Sequence, residues 1–245
     1  VMIAKIRDGM EQLQELDVRR EALLSSVEKQ GKLSLELMQA IVSAETIAQL
    51  EDIYLPFKPK RKTRASVARE KGLEPLAQTI FDQQSDSPEK VAAAFVDVEK
   101  GVNDLDEALS GARDIIAEWV SENQTTRKNI RELFWSEGIL ESSLLKGKET
   151  EGQKYKDYFD WREPAKKAPG HRLLAMFRGV QEKFLSLSIR PPEECGLRLL
   201  KKRHLKTGPW QEEVAKALVD CYQRLLAPSL ENELSGELKT RADLE

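Results

Sequence analysis

Ile3, Ile6, Met10, Leu13, Leu16, Leu23, Leu24 and Val27 recur at three- and four-residue steps through the first 29 residues. That spacing lines one face of a helix and does not fit the two-residue alternation of a half-buried strand. The period returns in Leu105, Leu109, Ala112, Ile116 and Trp119, in Val214, Leu218, Val219, Tyr222 and Leu225, and in Leu230, Leu234 and Leu238. A chain patterned this way must pack helix on helix. Arg20 interrupts the first stripe.

Punctuation divides the pattern into elements. Gly31 ends the first helix, predicted over 2–29. Ser34 can cap a second helix to about Ala44, and Thr46 with Gln49 a third ending near Tyr54. Helices are predicted at Ala65–Lys71 and Glu74–Asp82, and Ser87-Pro88 opens another. Asn103 and Thr126 are the expected caps of the next two, the second stopped by Gly138. The helical period then fails. Ile139–Lys146 and Phe184–Ile189 read as two strands, with short helices at Gln153–Phe159 and Pro169–Arg178 between them. Helices resume at Glu193–Arg203, Trp210–Leu226 and from Pro228. The expected fold is mainly α, a multi-helix array with a small two-stranded β element. Its regions are 1–138, 139–192 and 193–245. The chain begins and ends inside helical patterns and Val1 is not an initiating methionine, as expected of a fragment.

The stretch Leu50–Arg69 breaks the helical pattern with Pro56 and Pro59, which fix φ and withhold N–H donors. Tyr54, Leu55 and Phe57 are expected to pack inward and anchor this turn. Lys58, Lys60, Arg61, Lys62, Arg64 and Arg69 follow, with no acid from Ile53 to Ala68. Such a run suits phosphate. From spacing alone it suits better a solvated connector whose cations pair with the chain's own acids, Glu51 and Asp52 among them. The net charge of −3 excludes a wholly basic, nucleic-acid-coating protein, so any phosphate contact must be local. A secondary basic patch, Lys201, Lys202 and Arg203 with Arg198, His204 and Lys206, falls at a helix end, where cations also complement the helix dipole. Lys166, Lys167, His171, Arg172 and Arg178 form another group. Trp161 and Trp210 could stack on bases, though tryptophan is more often a packing residue.

No catalytic constellation emerges. His171 and His204 are the only histidines and lie outside an H-E-x-x-H pattern; Gly147-Lys148 lacks the rest of a P-loop. Glu149, Glu151, Asp157, Asp160 and Glu163 could hold Mg²⁺ for phosphoryl transfer, but they alternate with Lys148, Lys154, Lys156 and Arg162 as on an ordinary surface. No metal, cofactor or small-molecule substrate is expected. Cys195 and Cys221, far apart and outside any C-x-x-C spacing, suit a reducing compartment. No apolar run approaches membrane-spanning length. The expected location is cytoplasmic.

The segments LEDIYLPFKPKRKTRASVAREKGLEPLA, GARDIIAE, LLKGKETEGQKYKDYFDWREP, GHRLLAMFRG and ELSGELKTRADLE occur in that order. Together they resemble the N-terminal region of the Tex family, bacterial transcription accessory proteins. The resemblance covers almost the whole chain. It implies longer proteins with an RNase-H-like YqgF domain, helix–hairpin–helix elements and a C-terminal S1 domain, none of which lies within these residues. It implies a non-enzymatic scaffold that orients nucleic-acid-binding domains, the partner being RNA or DNA bound mainly by the downstream domains, with at most weak phosphate contact of its own. The alternative is a module that docks on protein of the transcription machinery without touching nucleic acid. The family usually has tyrosine at Phe57, arginine at Lys62 and serine at Gly170. It reads N-E-G where this chain has Gln181-Glu182-Lys183, so that loop is expected to differ in shape.

Overall fold

The computed structural model describes residues 2–59, 61–83 and 87–244, with side chains throughout except at 2–6, 8 and 89. Lys60 and the side chains of Ile3 and Ile6 lie outside that description. The opening apolar repeat becomes one helix, α1 (Met2–Lys29). Just beyond it Gly31 takes φ +66, a left-handed turn that a glycine makes without a Cβ clash. Ser34 and Thr46 start α2 (Leu35–Ser43) and α3 (Ile47–Tyr54), their side-chain oxygens accepting the N–H groups of Leu37 and Gln49, each at 3.2 Å.

The chain divides into two compact units, Val1–Lys62 with Glu122–Gln124, and Thr63–Ser121 with Thr125–Glu245. The division falls inside the region 1–138. In the first unit, Leu16, Leu23 and Val27 of α1 pack on Ile41 and Ala44 and on Leu50, Ile53 and Tyr54 of α3. Arg20, which broke the apolar stripe, has a structural task. Its guanidinium donates to the carbonyls of Ile41 at 3.2 Å and Ala44 at 2.9 Å, satisfying the open end of α2. Leu55–Phe57 form a single 3-10 turn. Tyr54 is buried, while Leu55 and Phe57 are half-buried, Phe57 against the same core.

The second unit contains α4 (Arg64–Glu70), α5 (Glu74–Asp82), α6 (Pro88–Ala93), most of α7 (Leu105–Glu122) and α8 (Gln124–Glu137). A sheet and four further helices follow, α9 (Gly170–Gln181), α10 (Glu193–His204), α11 (Gln211–Asp220) and α12 (Ala227–Leu244). Their apolar faces share one core that includes Ile80, Ile116, Phe134, Leu140, Leu173, Trp210 and Leu218. The protein is mainly α.

The sheet has three strands, not the two expected. β1 (Ile139–Leu144) lies between β2 (Asp160–Pro164) and β3 (Leu185–Arg190), and both pairings are antiparallel. β2 is a charged edge strand whose local sequence, DWREP, carries little strand propensity. Its pairing with β1, Leu140 opposite Glu163 and Ser142 opposite Trp161, supplies what the sequence lacks.

Three local assignments change. Asp104, not Asn103, caps α7: its Oδ1 accepts from Glu107 N–H at 2.8 Å. Thr126 lies inside α8 instead of capping it, and its buried hydroxyl is 2.8 Å from His204 Nε2. Pro228 does not open a helix. A π-helical turn, Cys221–Leu226, joins α11 to α12, and Ala227 N–H reaches back to Tyr222 O. Proline interrupts the regular i→i−4 ladder, and a wider turn immediately before it accommodates the change.

Candidate nucleic-acid interface

In the first unit, Lys58, Arg61 and Lys62 are exposed beyond the 3-10 turn. Glu51, one of the acids available to pair with them, binds Arg19 at 2.5 Å instead. In the second unit, Arg64 is exposed at the start of α4, along a groove that also includes Lys71 and Asp114. Thr63 and Ser66 fix that helix start with a reciprocal capping box. Arg69 differs from the others. Its guanidinium is held between Glu118 at 2.6 Å and Glu74 at 3.2 Å, and Glu118 is buried. Charge there is committed to joining α4, α5 and α7.

The end of α10 has another character. Arg198, Lys201, Lys202 and Arg203 are exposed, and among the described residues none has an acidic partner. No acid occurs between Cys195 and Gln211. The backbone beneath these cations is fixed. Gln83 Nε2 donates to His204 O at 2.7 Å, and Gln83 Oε1 accepts from Lys206 N–H at 2.7 Å. The His204 ring packs 5.9 Å from that of Phe81 and meets the Thr126 hydroxyl. Burial, aided by the neighbouring Arg203 charge, pushes the imidazole down to about 4, so at neutral pH it is uncharged. The cationic residues therefore project from a neutral, hydrogen-bonded base. Gln83 and Thr126 were not legible as positioning residues, because their partners lie far away in sequence.

The acidic stretch is dispersed. Glu163 accepts from Arg172 at 2.6 Å and from Trp161 Nε1 at 2.9 Å, and Glu151 pairs with Lys148 at 2.7 Å. Among the described residues no group of three or more His, Cys, Asp or Glu is arranged to hold a metal ion. Trp161 stacks under Arg172, whose guanidinium carbon is 4.6 Å from the ring centre, and Trp210 is fully buried. Neither indole is presented for base stacking. Among the described residues no helix is long and apolar enough to cross a membrane.

A family model described as Tex central region-like matches residues 83–245. The chain belongs to the Tex family. It is 41% identical over 251 residues to Protein tex of Bordetella pertussis, covering 95% of this chain and 31% of that protein. Transcriptional accessory protein Tex of Neisseria gonorrhoeae is 38% identical over 188 residues, 77% of this chain and 25% of its own length. A more distant relative, human S1 RNA-binding domain-containing protein 1, is 24% identical over 260 residues, 99% of this chain and 26% of its own. The chain thus spans about a third or less of each of these relatives.

Proposed function

We propose that this chain is a non-enzymatic helical scaffold of a cytoplasmic transcription accessory factor, and that the end of α10 adds a backbone contact to nucleic acid held mainly by other domains. The observation that carries the reading is the group Arg198, Lys201, Lys202 and Arg203, exposed and without acidic partners among the described residues. Because the backbone beneath them is already held, contact with phosphates need order only the side chains and not the chain that carries them. The names of two relatives, one a transcriptional accessory protein and one an S1 RNA-binding domain-containing protein, support the class of partner. Lys58 and Arg61 offer an independent, weaker contact on the first unit. With Arg69 committed to Glu118 and Glu74, the stretch 58–69 presents less available charge than its sequence suggests.

The test is binding of a fluorescent single-stranded RNA and of a DNA duplex by the 245-residue chain. Reversing Lys201, Lys202 and Arg203 to glutamate should weaken both by about tenfold or more. Reversing Lys58 and Arg61 should have a smaller effect. Equal losses from the two variants would remove the priority given to α10. Metal-dependent cleavage of either strand would overturn the non-enzymatic part.

A further inference from the structure

The apolar stripe of α1 outruns its cover. Leu16 is buried by the other helices of its unit, but one turn earlier Leu13 is 63% exposed and Met10 67% exposed. Beside them, across a shallow groove, Ile47 at the start of α3 is 40% exposed. Gly9 forms part of the same wall, and among the described residues no heavy atom lies within 4 Å of where its Cβ would stand. The groove therefore has an apolar floor and an open end wide enough for a side chain. On α2, Leu35, Met38 and Val42 are also exposed at helical spacing, although the opposite side of that short helix already faces the core. A helix apolar on both sides is ordinarily covered on both.

The rim says what kind of cover fits. Glu15 and Glu45 border the groove, and among the described residues neither carboxylate has an ion-pair partner and no cation lines it. An acidic rim repels a phosphate backbone and attracts lysine or arginine. An apolar groove with carboxylates on its rim matches an amphipathic helix whose apolar face lies in the groove and whose flanks are basic.

We infer that the groove between α1 and α3 is a protein-docking site for an amphipathic helix of a partner protein, its apolar residues at i, i+3 and i+4 spacing and its flanks rich in lysine or arginine. Leu13, Leu16 and Ile47 receive the apolar face, Gly9 lets the partner approach closely, and Glu15 and Glu45 set orientation. The site belongs to the first unit and the α10 cations to the second, and its partner has the opposite charge, so either proposal can fail without the other.

Two labelled synthetic helices of about 20 residues test this. They share a leucine face, and one has lysine flanks, the other glutamate flanks. Fluorescence anisotropy with the 245-residue chain should show the lysine helix binding about tenfold more tightly. Glu15→Lys with Glu45→Lys should reverse that preference. Gly9→Trp should abolish binding of both by filling the groove, with the melting midpoint unchanged because the position is open. Equal binding of the two helices, no binding of either, or an unreversed preference in the double variant would overturn the inference. So would competition by RNA. A concentration-dependent dimer in sedimentation that Leu13→Asp dissociates would assign the groove to a second copy of this chain instead.

Discussion

His204 sits half-buried between Phe81 and Thr126, and burial has moved its imidazole from the ordinary 6.5 down to about 4. The unfolded chain therefore binds this proton more readily than the folded one. The group's contribution is fully present above pH 6.5 and is lost as pH falls through 4. Discounted for partial exposure, it amounts to about 1 kcal/mol. The Tm should fall across that window, and His204→Gln should reduce the fall by about 2–4 °C. An unaltered pH profile would show that the ring is not the titrating group. Lys183 supplies a second residue-scale case. It takes φ +61, where an L side chain crowds its own backbone. Lys183→Gly should raise stability by about 0.5–1 kcal/mol by denaturant unfolding, and a loss would mean that its side chain holds the turn. Single residues also show the limits of sequence reading. A cap can be recognised as a type, but Asn103-Asp104 offers two and only the structure selects Asp104. Arg20 was visible as an interruption, yet its purpose depends on the carbonyls of Ile41 and Ala44, which folding brings to it.

Helical elements were the most legible because each carries its own period. The one long helix over 2–29 and the short Glu74–Asp82 appear where the sequence put them. β2 was not legible, since an edge strand of charged residues has no period to announce it and depends on its neighbour. The join of α11 and α12 was missed for a related reason: a proline suggests a boundary, and a π turn that carries the chain through it has no local signature. The outer edge of β3 is met by one side chain of α12. Glu231 accepts from Ile189 N–H at 2.8 Å, Ser188 Oγ at 3.0 Å and Arg190 Nε at 2.6 Å. This covers donors that would otherwise be left unpaired at a sheet edge. Glu231→Ala should destabilise the protein by about 2 kcal/mol, more than truncation of the exposed Glu212. Chemical denaturation of the two variants compares them directly, and equal midpoints would show that water replaces the carboxylate.

At the scale of the molecule, the sequence offered charge runs without saying which were occupied. The longer run, 58–69, contains Arg69, whose charge is used between helices, whereas the α10 run faces outward on a hydrogen-bonded base. Pairing of this kind depends on acids such as Glu118, dozens of residues away, and so leaves no mark in local composition. The two compact units present different surfaces: an acid-rimmed apolar groove on the first and exposed cations on the second. The central claim, that the α10 cations meet phosphate, has a direct test in salt dependence. Each neutralised phosphate on duplex DNA adds about −0.9 to the slope of log Kobs against log salt. Measured by anisotropy on the 245-residue chain, with thermal unfolding in parallel, Lys201→Glu, Lys202→Glu and Arg203→Glu together should flatten that slope by about 2–3 and lower the Tm by only a few degrees, the cost of acids at the negative end of the α10 dipole. A slope that stays the same while the Tm falls would contradict the account and make these residues part of the scaffold alone.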